Sequence, residues 1–174
     1  MTKSIPDGFH TVTSSLVVSN SKDAIEFYKK AFDAIEINQS QTPDGKIVHA
    51  QIKIGNSFVF LVDEVPPMTK AHTTAGGSTI SLHLYVEDAD KAFNQAVDAG
   101  AKVAMPMGDA FWGDRWGMLT DPYGHLWAIA THQKDLSDEE MKKASENFFA
   151  NVSKNLSDEE MKKASENFFA NVPK

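Results

Sequence analysis

The sequence predicts an α+β fold of two βαβββ units followed by a duplicated amphipathic helix, and three observations carry that expectation. First, residues 16–34, LVVSNSKDAIEFYKKAFDA, align with residues 84–101, LYVEDADKAFNQAVDAGA, at an offset of 68 (84 − 16), and both read as strand, polar turn and amphipathic helix. Second, each of these segments is followed by three short runs rich in strand-forming residues, separated by turn residues. Third, residues 136–152, LSDEEMKKASENFFANV, recur unchanged at 156–172, an offset of 20 (156 − 136).

In the first unit, about residues 10–63, the strand LVVS leads into the helix AIEFYKKAF, and the strands AIEINQSQ, KIVHAQIKI and SFVFLV follow. Gly55-Asn56 suits a two-residue hairpin loop between the last two. Residues 64–77, EVPPMTKAHTTAGG, read as a linker. The second unit, about 78–132, repeats the order with AKVAMPM, RWGMLTD and HLWAIATH, and Asp121-Pro122-Tyr123-Gly124 suits a type I turn closed by a glycine at positive φ. Residues 1–134 therefore form one domain and 135–174 the tandem helix.

Each helix copy begins with a capping box, Ser137 with Glu140 and Ser157 with Glu160, and Leu136 is placed to staple Met141. Met141, Ala144, Phe148, Phe149 and Val152 form one apolar stripe. An unbroken helix would turn the second stripe about 200° from the first, so either the chain breaks near Asn155, the favoured reading, or the second copy reaches toward a different surface such as a partner subunit. The acidic run Asp138-Glu139-Glu140 is what the dipole of a first helical turn favours rather than a cation site.

The composition bounds the chemistry. The 174 residues contain no cysteine, which excludes thiolate nucleophiles, thiolate metal sites and disulfides. A net charge of −7 opposes nucleic-acid binding. No segment approaches the roughly 18 apolar residues of a membrane helix, and MTKSIPDGF lacks a secretory core, so no membrane association and a cytoplasmic location are expected.

Over residues 10–132 the two units, the AIEFYKKAF helix and the DPYG turn resemble the vicinal oxygen chelate superfamily, which includes glyoxalase I, extradiol dioxygenases, fosfomycin-resistance enzymes and bleomycin-resistance proteins. FWGDRWGMLTDPYGHLWAIATH followed by DLSDEEM is most similar to its PhnB-like branch. The resemblance implies a cupped mixed sheet and a homodimer. In the metal-using members, a His on the first strand and a Glu on the last strand of each unit are common ligands. Those positions fall here on Thr13 and Phe60, and on Ser81 and Ala128. Phe60 and Ala128 offer no donor, so neither a metal nor another cofactor is expected.

Side chains alternate along strands, so the residues sharing a face with these four positions should line the concave surface. On the first strands these are Thr13, Ser15 and Val17, then Ser81, His83 and Tyr85; the last strands add Phe58, Phe60 and Val62, then Leu126, Ala128, Ala130 and His132. The two turns place Gln51 across from Phe60, His49 from Val62, Met118 from Ala128, Trp116 from Ala130, and Asp114 from His132. A one-residue slip would bring in Arg115 and Leu119 instead.

Several roles stay open for these residues. His83 is a pocket acid/base, a satisfied core histidine, or part of a shifted metal site with His49 or His132. Asp114 is the second acid/base candidate. Trp112 and Trp116 could stack on a ligand and Arg115 could pair with its anionic group, unless Asp114 and Arg115 satisfy each other. The resulting expectation is a metal-free homodimer that captures a small molecule of unknown identity. One alternative is an enzyme of the superfamily's lyase, isomerase, transferase or dioxygenase types. The other is an interaction module acting through the duplicated helix.

Overall fold

The structure, a computed structural model, describes residues 2–155. Strand β1 (Ser14–Val18), helix α1 (Ser21–Phe32) and strands β2 (Ile35–Gln41), β3 (Ile47–Ile54) and β4 (Ser57–Asp63) make the first unit. After the short helix α2 (His72–Ala75), strand β5 (Ser81–Tyr85), helix α3 (Ala89–Asp98) and strands β6 (Lys102–Asp109), β7 (Asp114–Thr120) and β8 (Leu126–His132) make the second. Helix α4 (Asp138–Asn155) follows. The sheets have the same order, β1-β4-β3-β2 and β5-β8-β7-β6, with the first strand of each parallel to its neighbour. This is the α+β pair of βαβββ units that the internal repeat predicts.

Local chemistry sets the boundaries. Asn20 caps α1 by accepting from the Asp23 amide, and Asp88 caps α3 by accepting from that of Lys91. The hairpin at Gly55-Asn56 pairs Ile54 with Ser57 and so fixes Gln51 opposite Phe60. At the DPYG turn the Gly124 amide donates to the Asp121 carbonyl at 3.0 Å, and Gly124 has φ +87°. That turn sets Asp114, Trp116 and Met118 opposite His132, Ala130 and Ala128. The slipped register does not occur.

Both sheets turn the same face toward the helices. Leu16, Val18, Ile52, Val59 and Leu61 from the first sheet join Leu119, Trp127 and Ile129 from the second in one buried cluster with α1 and α3. The units are locked together through the DPYG turn: Asp121, 3% exposed, accepts from the Tyr28 hydroxyl at 2.6 Å and the Trp127 indole N–H at 3.0 Å. Its other oxygen accepts from the amides of Tyr123 and His125. A carboxylate with four donors is stable when buried, whereas an unpaired one is not.

Two features were not read from the sequence. The linker holds α2, whose His72 packs under Gly124. The N-terminal segment lays Phe9 on Phe58, ring centroids 4.4 Å apart. Helix α4 opens on the expected capping box, with the Ser137 amide donating to Glu140 Oε2 at 2.9 Å, and it reaches Asn155, the last of the described residues, so the expected break lies outside them. The second helix copy lies outside the described residues.

Candidate functional site

Since the helix-facing sides of both sheets share one core, their other sides turn outward. Ser15 on the first sheet and Ser81, His83 and Tyr85 on the second are exposed, while Thr13, Phe60, Val62, Trp116 and Met118 are half-buried. Phe9, Val12, Thr13 and Phe58 of the first unit and His83 and Trp127 of the second line a small cavity of about 190 Å³ where the units meet. Each unit also offers an open, mixed aromatic and polar face.

On the first sheet, the face is built by β1, β3, β4 and the N-terminal segment. Phe58 and Phe60 form a shelf under Phe9, and the His49 ring lies 4.8 Å from that of Phe60. Gln51 is buried beside them and accepts from the Asn38 amide at 3.4 Å.

The second face is more ordered, and its organiser is Asp114, 2% exposed at the start of β7. One carboxylate oxygen accepts from the Tyr85 hydroxyl at 2.8 Å and the Trp112 indole N–H at 3.0 Å; the other bonds His132 Nδ1 at 2.8 Å. Burial alone would raise the Asp114 carboxyl, but the hydrogen bonds from His132, Tyr85 and Trp112 outweigh it and hold the group below the ordinary carboxylate value. Asp114 is thus an anion that positions three side chains, Tyr85, Trp112 and His132.

His132 is bonded on both sides, by Asp114 and by Asp135 at Nε2, 3.0 Å. These two carboxylates raise its pKa above the ordinary imidazole value. Tyr85 is 59% exposed and lies stacked against His83, centroids 4.7 Å apart. His83 is exposed, so it is not a core histidine. Trp112 packs edge-on to Trp116 at 5.5 Å and to Phe111 at 5.0 Å, and Phe111 in turn meets Phe148 of α4 at 5.2 Å. The aromatic face therefore runs from His83 through Trp116 onto the C-terminal helix, a continuation the sequence pattern did not indicate.

Arg115 is a correction. Its side chain points to the helix side, pairing with Asp90 in the first turn of α3 through Nη2 (2.7 Å) and Nε (2.8 Å), and with Asp109 at 3.3 Å. It joins neither the face nor Asp114, because adjacent residues on a strand point to opposite sides.

The superfamily's metal positions do not fit a metal. The register sets Ser15 beside Phe60 and His83 beside Ala128, leaving at most one histidine at either corner. The shifted site through His83, His49 and His132 is not assembled either: His49 belongs to the other sheet, and both His132 nitrogens hold carboxylates. Among the described residues no group of three or more His, Asp or Glu side chains is placed to hold a metal ion.

Residues 8–129 match the model of the Glyoxalase/Bleomycin resistance protein/Dioxygenase superfamily. An uncharacterized protein of Mycobacterium bovis is 40% identical over 133 residues, covering 74% of this chain and 88% of the relative. Among solved structures, TioX from Micromonospora sp. ML1 is 27% identical with a TM-score of 0.57, covering 71% of this chain and 98% of its own. TnmS3, an antibiotic binding protein from Streptomyces sp. CB03234, matches in fold at 23% identity with a TM-score of 0.56, over 76% of this chain and 100% of its own.

Proposed function

Because the chain belongs to the Glyoxalase/Bleomycin resistance protein/Dioxygenase superfamily, we propose that it is a metal-independent small-molecule-binding protein whose cavity closes when two copies pair. The observation that carries this reading is the pair of outward aromatic faces, each with hydrogen-bonding groups and each partly open to solvent. TnmS3, of the same fold, is an antibiotic binding protein, which makes capture without chemistry a use open to this architecture.

Pairing is supported by apolar exposure that follows the internal repeat. Val12 and Ile80 are 83% and 59% exposed, and Ile35 and Ile37 recur as Val103 and Met105, all at least 39% exposed. Each pair is 68 residues apart (80 − 12, 103 − 35, 105 − 37). Exposed apolar residues repeated on two similar units suit a two-fold dimer in which the first unit of each copy covers the second unit of the other.

Metal independence rests on the donor chemistry at Phe60 and Ala128. A melting-temperature screen of the purified protein against aromatic small molecules, run beside elemental analysis, tests both parts. A saturable upward shift with no stoichiometric metal is expected. A tightly held divalent ion in the protein as purified would overturn metal independence, and no shift across a broad screen would overturn the binding reading. A cytoplasmic location is part of the proposal; among the described residues no helix is long and apolar enough to cross a membrane.

A further inference from the structure

The corner of the second face where β5 and β8 end shows a chemistry of its own. A shallow cleft of about 750 Å³ opens there, with Gly55, Tyr85, Gln95 and His132 among its lining residues. The Tyr85 hydroxyl is committed to Asp114, which fixes its ring as a flat surface and leaves the ring itself 59% exposed. The imidazole of His132, 52% exposed, is held through Nδ1 by the same carboxylate. Its remaining nitrogen, Nε2, faces outward. There it meets Asp135, a side chain fully open to solvent from the segment before α4.

Asp135 occupies that nitrogen at little advantage. An exposed ion pair contributes little because water solvates both groups well and the side chains must be ordered to meet. A carboxylate arriving with an aromatic ring attached brings the same hydrogen bond and adds ring burial against Tyr85. The displaced Asp135 stays close by, so the hydrogen bond and the ring contact with Tyr85 must outweigh the added negative charge.

We propose that this corner binds an aromatic carboxylate, its ring against Tyr85 and its oxygen accepting from His132 Nε2 in place of Asp135. The proposal rests on the small-molecule reading above and names its ligand class. The charged groups around the imidazole are Asp114 behind it, Asp135 before it, and Lys91, Asp33, Glu87 and Asp88 around the cleft. Two of those acids are already engaged: Asp88 accepts from the Lys91 amide at 2.9 Å and Asp33 from the Gln95 side chain at 3.0 Å. The protonated imidazole is needed as donor, so binding weakens as pH rises through the raised His132 value.

Benzoate is the probe, with benzamide as neutral isostere and benzylammonium as cation, each titrated by calorimetry into the full chain below the ordinary imidazole pKa. Benzoate should bind more tightly than benzamide by on the order of tenfold, the worth of one charge-assisted hydrogen bond. His132→Phe should erase that preference. Asp135→Ala should instead tighten benzoate, because it removes the internal competitor; this exposed position does not threaten folding. Equal affinity for the three probes, preference for benzylammonium, no benzoate binding, or an Asp135→Ala chain with unchanged or weaker benzoate affinity would each overturn the assignment. Failure of benzoate with success of other molecules in the screen would leave the binding reading standing and remove only this ligand class.

Discussion

At the scale of single residues, the candidate site is organised by one buried anion. Asp114 holds Tyr85, Trp112 and His132 at 2.8, 3.0 and 2.8 Å, so replacing its carboxylate disorders all three at once. Asp114→Asn puts an amide donor where an acceptor is required and should destabilise the fold by about 2–3 kcal/mol, read from urea unfolding midpoints. His132 gives a second test. Its folded pKa is raised by Asp114 and Asp135, so its contribution to stability is fully present below the unfolded value and is lost as pH rises through the folded one. Asp114 is lowered despite its burial, so its contribution is present above the unfolded carboxylate value and is lost as pH falls through the folded one. Following the His132 ring protons by NMR should give a midpoint above 6.5, the ordinary value. An Asp114→Asn chain should bring that midpoint down; an unchanged midpoint would show that Asp114 does not hold the ring in solution.

At the scale of elements, turn chemistry set what could be read in advance. The hairpins at Gly55-Asn56 and DPYG each fix a register, and a register fixes which side chains share a face. That is why Asp114, Trp116 and Met118 could be placed opposite His132, Ala130 and Ala128 from sequence alone. The same parity sends Arg115 to the helix side, and the slip that would have kept it on the face required a different turn. Its partner Asp90 lies 25 residues away on α3, beyond any local pattern. The contact between Phe111 and α4 and the position of Phe9 on Phe58 were likewise illegible, because both depend on where loose segments come to rest. The DPYG turn offers a graded test. Gly45 and Gly124 both have φ near +90°, +88° and +87°, yet a Cβ at Gly45 meets nothing while one at Gly124 runs into the His72 ring. Gly45→Ala should therefore cost only the left-handed backbone penalty of about 1–2 kcal/mol, and Gly124→Ala clearly more. Equal losses in melting temperature would mean that the linker does not pack under the turn.

At the scale of the whole molecule, the two units behave as copies that share a core and leave equivalent surfaces uncovered. A chain whose two halves shared their open faces within one molecule would bury one set of these residues against the other. Here Val12 and Ile80, Ile35 and Val103, and Ile37 and Met105 are all left to solvent at positions 68 residues apart, although Ile35 pairs across from outward-facing Lys53 and Val103 across from core-facing Leu119. If two copies pair with first unit against second, every such residue enters the two-fold assembly twice. A single charge placed at Val12 or at Ile80 is then buried two times over, and each burial is costly without a partner. Val12→Asp and Ile80→Asp should each convert the dimer to monomer in sedimentation equilibrium while leaving the circular dichroism spectrum unchanged, since both side chains are exposed in the single chain, at 83% and 59%. The two variants should also lose any ligand-induced rise in melting temperature together, because the proposed cavity draws on both faces. A dimer that survived one of these substitutions and not the other would contradict pairing through equivalent surfaces, and a wild-type chain that sedimented as a monomer would contradict pairing altogether.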